Sequence, residues 1–272
     1  MHPTLSLNSG YDIPLLGFGT WQLEGDQAYQ SVKMALKAGY RHIDTAERYG
    51  NHQEVGQAIA ESGIPRKELF LTSKIWRENL QPEVARQVLP RFLKELQIEY
   101  LDLLLIHWPN MDVDMNETFK IMRQWQEQGI LRSFGVSNFT VHHLQNMLKA
   151  GFIPAMNQVE FHCSLNQETL RSFCEQQNIA LTAYSPIAQG YDLRLPQVEK
   201  LSQKYQKSSS QVILNWLRQK NIVAIPRSAD EQHIQDNLAS LEWNLEPEDV
   251  LSLDGLNENY RVVCPDFADF GY

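Results

Sequence analysis

The chain has 272 residues and carries 24 Lys and Arg against 33 Asp and Glu, a formal net charge of −9. That acidic balance excludes a broad nucleic-acid footprint, while leaving room for a local basic pocket that takes a phosphate. Hydrophobic residues make up 43% and charged residues 21%, the balance of a globular protein with a large core, and no apolar run approaches a membrane span.

The three cysteines, Cys163, Cys174 and Cys264, offer neither a disulfide framework nor a short paired spacing for a metal. The first residues lack the basic-then-apolar order of a secretory signal, so a cytoplasmic protein is expected, with a monomer the simplest state.

Near the start, Leu5 and Leu7 alternate with polar residues and Asn8-Ser9-Gly10 supplies a turn. A second short strand at 11–13 would complete a hairpin too small to stand alone. From there the chain alternates. Strands are predicted at 15–20, 41–45, 69–74, 101–107, 133–137, 156–160, 180–184 and 222–226. Helices are predicted at 27–38, 53–61, 82–96, 116–128, 141–150, 167–177, 209–218 and 230–238.

Several strands, residues 101–106 above all, are continuous apolar runs, as expected where both faces of a parallel sheet are covered. Eight strands, each followed by a helix, count out to a single (β/α)8 TIM barrel domain over residues 1–272. The opening hairpin is expected to close the bottom. A doubly wound sheet is the rival, but Gly17 and Gly19 alone are too weak a signal for its glycine-rich turn. An extra helix at 247–256, begun by Glu246-Pro247 and ended by Gly255, stands outside the repeat. The tail at 257–272 is expected to wrap toward the barrel mouth.

In such a barrel the C-terminal ends of the strands share one face, where chemistry collects. Polar residues recur there: Asp44, Lys74, His107, Ser137 with Asn138, Gln158 with Glu160, Tyr184 with Ser185, and Arg227 with Ser228. Four of the groups near this rim, Asp44, Tyr49, Lys74 and His107, suit the protonation of a carbonyl oxygen. A carbonyl that accepts hydride at carbon becomes alkoxide-like at oxygen, and a positioned acid removes that charge. Tyr49 is the expected acid. A free phenol titrates at about 10, so surroundings that favour loss of its proton during the reaction are expected, with Lys74 as the nearby cation and Asp44 as its partner. His107 would donate a hydrogen bond to the carbonyl oxygen. Taken singly, Asp44 would also suit a helix cap and His107 a satisfied core histidine.

The segment Asp44-Thr45-Ala46-Glu47-Arg48-Tyr49-Gly50-Asn51, with Val55-Gly56 beyond it, resembles the first signature of the aldo-keto reductases. Thr72-Ser73-Lys74-Ile75-Trp76 and Leu105-Ile106-His107-Trp108-Pro109 resemble the lysine and histidine segments of that family. The likeness continues through Gly135-Val136-Ser137-Asn138-Phe139, Asn157-Gln158-Val159-Glu160, Tyr184-Ser185-Pro186 and Ile225-Pro226-Arg227-Ser228. It therefore spans nearly the whole chain and is closest to the compact microbial branch resembling 2,5-diketo-D-gluconate and methylglyoxal reductases.

The resemblance implies a catalytic tetrad of Asp44, Tyr49, Lys74 and His107, and a nicotinamide cofactor to supply hydride. It implies that Tyr184 stacks on the nicotinamide ring while Ser137, Asn138 and Gln158 bond its amide. Asp44, Gly19, Thr20, Trp21 and Ser185 complete the inner cofactor contacts. Arg227 and Ser228, with His233 and Asn237 further on, are expected at the adenosine end. Arg227 stands where the family usually has lysine and His233 where it usually has arginine, so NADPH is expected as the preferred cofactor with weaker use of NADH.

Trp21, Trp76 and Trp108, with Tyr49 and His107, are the expected walls of a pocket for a small carbonyl substrate. The stretch 108–111 supplies no cation to clamp a substrate carboxylate, and Arg261 is the only candidate contact in the tail. No metal is expected. A cofactor-binding accessory or sensory protein on the same barrel is the alternative, and a barrel hydrolase or metal enzyme is a third class.

Overall fold

The computed structural model describes residues 2–271. Strands β1 (Thr4–Ser6) and β2 (Asp12–Pro14) form the expected antiparallel hairpin, with Leu5 opposite Ile13. Eight parallel strands follow: β3 (Phe18–Gly19), β4 (His42–Asp44), β5 (Phe70–Ile75), β6 (Leu101–Ile106), β7 (Leu131–Ser137), β8 (Met156–Glu160), β9 (Ala180–Tyr184) and β10 (Val223–Ala224). They lie side by side in chain order.

The sheet is curled in the manner of a TIM barrel. Its first and last segments meet: Gly17 N donates to Ala224 O at 2.8 Å, Ala224 N to Leu15 O at 2.9 Å, and Gly19 N to Pro226 O at 3.1 Å. A Cβ at Gly19 would stand 2.7 Å from Ile225 O, so only glycine allows this approach. Gly135, within β7, is constrained in the same way by Met156 O at 2.5 Å.

Helices α1 (Gly25–Ala38), α2 (His52–Glu61), α3 (Pro82–Glu95), α4 (Met115–Glu127), α5 (Val141–Lys149), α6 (Glu168–Gln176), α8 (Ser209–Gln219) and α9 (Glu231–Leu238) fall on the predicted segments, and α10 (Pro247–Asp254) is the extra helix. Their starts follow local chemistry. The side chains of Asp114, Thr140, Ser208 and Asp230 cap α4, α5, α8 and α9 by accepting backbone N–H bonds. Pro82 and Pro247 stand in the first turns of α3 and α10. Between β9 and α8 lies α7 (Pro196–Tyr205), absent from the predicted set. Its signals are Pro196 in the first turn, then Val198 and Leu201 buried three residues apart.

Strand alternation sorts the side chains into two layers. Leu71, Ile75, Leu104 and Ile106 face outward into the large cluster shared with the helices. Phe70, Leu103, Leu105, Met156 and Val223 face inward and join Leu7 and Ile13 of the hairpin in a second cluster. The hairpin thus packs against the apolar lower interior. Above it the same inner rows turn polar: Phe70 is followed by Thr72 and Lys74, and Leu105 by His107. The change from apolar to polar along one face puts the reactive groups at the strands' C-terminal ends.

Candidate active site

The four residues expected to act together are carried by neighbouring elements. β4 pairs with β5, placing Asp44 opposite Thr72, and β5 pairs with β6, placing Lys74 opposite Leu105. His107 follows β6 and its N–H bonds Ile75 O at 3.0 Å. Tyr49 ends a single 3₁₀ turn, Glu47–Tyr49, just after β4.

Lys74 is 0% exposed and Asp44 1%. The Lys74 ammonium donates to Asp44 Oδ1 at 2.5 Å, to Thr45 O at 2.9 Å and to the Tyr49 hydroxyl at 3.3 Å. Asp44 Oδ2 accepts from Gln158 Nε2 at 2.7 Å. Both carboxylate oxygens are therefore engaged, and Asp44 caps no helix. Burial lowers the Lys74 pKa and raises that of Asp44, and each partner's charge counters the other's shift.

The Tyr49 ring meets His107 edge-on at 5.7 Å. Burial, and next the Asp44 charge, hold its phenol well above the ordinary value. In the resting site the group is therefore a protonated acid, with the Lys74 ammonium beside its hydroxyl. Burial, then the Lys74 charge, keep His107 well below its usual pKa, so its ring is neutral. His107 Nδ1 is enclosed without a hydrogen-bond partner among the described residues. The ring's one N–H is therefore best carried on Nε2, which is not among the enclosed atoms.

The expected nicotinamide contacts form a second network. Ser137 Oγ donates to Gln158 O at 2.8 Å. Asn138, at a left-handed φ of 63°, donates through Nδ2 to His107 O at 2.9 Å and to Ser137 Oγ at 3.1 Å, and accepts from the Tyr184 hydroxyl at 2.7 Å. Its side chain is thus nearly spent, with one lone pair left on Oδ1. Among the described residues Gln158 Oε1 has no hydrogen-bond partner, and it is not enclosed, so it is available to a ligand amide. Ser185 also has a positive φ, 46°, directly after Tyr184. Thr20, fully buried, donates through its N–H and its hydroxyl to Asp44 O, each at 3.0 Å. Trp21 is 44% exposed on the rim.

The outer residues are more open. Arg227 is exposed and has no hydrogen bond or ion pair among the described residues. Ser228 and Asp230 bond one another just ahead of α9. His233 is 75% exposed, and its N–H goes to the capping Asp230 carboxylate at 2.8 Å. Asn237 is buried on α9. The accessible acceptor on Gln158, the flat face of Tyr184 and the unpaired guanidinium of Arg227 are a donor and acceptor set that fits a nicotinamide dinucleotide.

Trp76 meets His107 edge-on at 5.4 Å. Phe267 in the tail meets Trp76 at 5.9 Å and Trp108 at 5.4 Å, and Phe270 meets Trp108 at 5.9 Å. The tail does reach the mouth. Trp21 makes no ring contact with this wall among the described residues. Two cations missed in the sequence flank the wall: Arg48 lies 5.6 Å from the Trp76 ring and Arg77 lies 4.6 Å from that of Phe267. Arg48 was legible only as the neighbour of Tyr49.

A Ser–His–Glu relay also exists, with His52 Nε2 2.9 Å from Ser73 Oγ and Nδ1 2.8 Å from Glu95. Ser73 is fully buried on the outer face of β5, so no substrate reaches it. Among the described residues no group of three or more His, Cys, Asp or Glu is arranged to hold a metal ion, and no helix is long and apolar enough to cross a membrane.

An ammonium, a protonated phenol and a neutral imidazole grouped beside an aromatic wall define an oxidoreductase site for carbonyl groups, and the chain belongs to the aldo/keto reductase family, whose profile matches residues 15–258. Glyoxal reductase of Bacillus subtilis (strain 168) is 43% identical, over 95% of this chain and 94% of its own. The 9,11-endoperoxide prostaglandin H2 reductase of Trypanosoma cruzi (strain CL Brener) is 39% identical, over 95% and 93%. Among solved structures, MGS-M4, an aldo-keto reductase enzyme from a Medee basin deep-sea metagenome library, superposes with a TM-score of 0.94 at 36% identity, covering 98% of this chain and 100% of its own.

Replacing Lys74 by Met leaves Asp44 buried without its counter-charge. The expected cost is about 3–5 kcal/mol of unfolding free energy in urea melts, partly recovered by adding Asp44→Asn.

Proposed function

We propose that this protein is an NADPH-dependent reductase that converts small aldehydes or ketones to alcohols, with residues 1–272 acting as one domain on a fully closed (β/α)8 barrel. The contact of Lys74 with both Asp44, at 2.5 Å, and the Tyr49 hydroxyl, at 3.3 Å, carries the reading. Barrel closure is supported by the three backbone bonds between residues 15–19 and 224–226.

When bound, the nicotinamide cofactor supplies the hydride that the carbonyl carbon takes. Tyr49 gives the proton: its O–H bond breaks as the alcohol O–H forms. Lys74 stabilises the phenolate left behind, and Asp44 holds the ammonium in place. His107 offers its Nε2 N–H to the carbonyl oxygen and polarises it. Gln158 and Asn138 take the cofactor's amide, Tyr184 covers its ring, and Gly19, Thr20, Trp21 and Ser185 line its inner end. Arg227 and Ser228, backed by His233 and Asn237, hold the extra phosphate that distinguishes NADPH.

The substrates proposed are dicarbonyls such as methylglyoxal, or keto-sugar acids such as 2,5-diketo-D-gluconate. Similarity to a protein named glyoxal reductase supports the first. The guanidinium of Arg48, exposed beside Trp76 and without an ion pair among the described residues, supports the second.

Tyr49→Phe should lower kcat/KM by about 10²–10⁴-fold while NADPH binding, followed by fluorescence titration, is retained. A variant with strong residual turnover would show that another group is the acid. The pH profile of reduction should be flat from about pH 6 to 9. The raised phenol stays protonated through that range, and the lowered His107 does not titrate within it.

Arg227→Ala should raise KM for NADPH about tenfold and leave that for NADH within about twofold, since only NADPH carries the phosphate it grips. Equal losses for the two cofactors in steady-state assays would remove Arg227 from that role.

Arg48→Gln should raise KM for 2,5-diketo-D-gluconate severalfold and leave methylglyoxal unaffected. No change with the acid would show that its carboxylate is held elsewhere.

A further inference from the structure

Glu160 closes β8 and takes no part in the proton transfer described above. Its carboxylate is fully buried, and such a charge must be matched by donors. The tail supplies two of them through its main chain. Val262 N donates to Oε1 at 2.7 Å and Val263 N to Oε2 at 2.9 Å. His162 Nε2 stands 3.0 Å from Oε1, and the Arg261 guanidinium is 3.8 Å from Oε2.

The other holds on the tail lie mostly near its start, where Asn166 N donates to Asn257 Oδ1 and Tyr191 meets Glu258 and the Tyr260 ring. Ser164 O accepts from Glu258 N at 3.1 Å and Tyr260 N at 3.0 Å. None of residues 257–271 is fully buried, so no side chain of this segment is sunk in the core. Its aromatic end nevertheless makes the outer part of the pocket wall, with Phe267 on Trp76 and Trp108 and Phe270 on Trp108. A second route joins the same points: Arg261, beside Glu160, lies 3.7 Å from the Phe270 ring.

We infer that Glu160 is a positioning residue for substrate: its carboxylate seats the tail by two main-chain amides, and the seated tail sets Phe267 and Phe270 against the tryptophans. The kinetic consequence rests on the reductase reading; the anchoring does not.

Glu160→Gln keeps the size but turns one acceptor into a donor facing an N–H. In hydrogen–deuterium exchange the Val262 and Val263 amides should exchange about tenfold faster, with β5 and β6 unchanged, as expected for loss of a charge-assisted hydrogen bond. With NADPH, KM for 4-nitrobenzaldehyde, whose ring needs the wall, should rise about fivefold to tenfold, with kcat within about twofold. Methylglyoxal, too small to lean on Phe267, should change little.

Phe267→Ala should raise the nitrobenzaldehyde KM alone, and the double variant should do no worse than the worse single one. Unchanged exchange at 262 and 263, or KM effects that multiply in the double variant, would overturn the inference. If Glu160→Gln does not fold, Val262→Pro removes one donor and leaves the carboxylate; an unchanged KM there overturns it equally. A wild-type chain without NADPH-dependent turnover would defeat the reductase reading alone, because the exchange measurement still decides the anchoring.

Discussion

An ammonium and a carboxylate enclosed with almost no contact to water are stable only while they hold each other, and Lys74 with Asp44 is such a pair. Its requirements reach far beyond two side chains. The bond from Asp44 Oδ2 to Gln158 spans the sheet interior from β4 to β8, and the bond from Lys74 to Thr45 O fixes the turn that delivers Tyr49. Removing either partner strands a charge in a medium that cannot solvate it. The pair therefore links fold stability to chemistry. The strand registers that satisfy it are the same ones that bring the phenol and the imidazole together.

Around that pair the inner site is fixed in advance. Asn51 accepts from Thr45 Oγ1 and donates to Thr20 O and Leu23 O, which ties the loops after β3 and β4. Asn138 does the same for the ends of β6, β7 and β9 through His107 O, Ser137 and Tyr184. Few rotamers remain to be ordered when a carbonyl arrives, which favours near-attack geometry. The outer end is built differently: Arg227 and His233 stand exposed and adjustable. The groups around the buried pair are tied to one another, while those at the outer end stand open to solvent.

Much of this was legible in the sequence because the residues involved obey local rules. The run Phe70, Thr72, Lys74 announces an inner face that turns polar toward its C-terminal end. Eight strand–helix units in order make those ends neighbours, and the matched motifs supplied the roles. Strands β3 and β10 prove only two residues long, since the segments meet through isolated bonds rather than a full ladder. Helix α7 went unseen because its apolar face is only partly marked, by Val198 and Leu201. The cations on the pocket rim were missed because contacts such as Arg77 on Phe267 join a loop to a distant tail, and no spacing encodes them.

The grip of Glu160 falls on peptide N–H groups at 262 and 263, which every residue except proline possesses. The anchor is consequently blind to side-chain identity, whereas the aromatic groups a few positions onward are what a substrate would meet. Evolution, or a protein engineer, can rewrite the end of the chain to admit a different carbonyl compound without redesigning the clasp that holds it down.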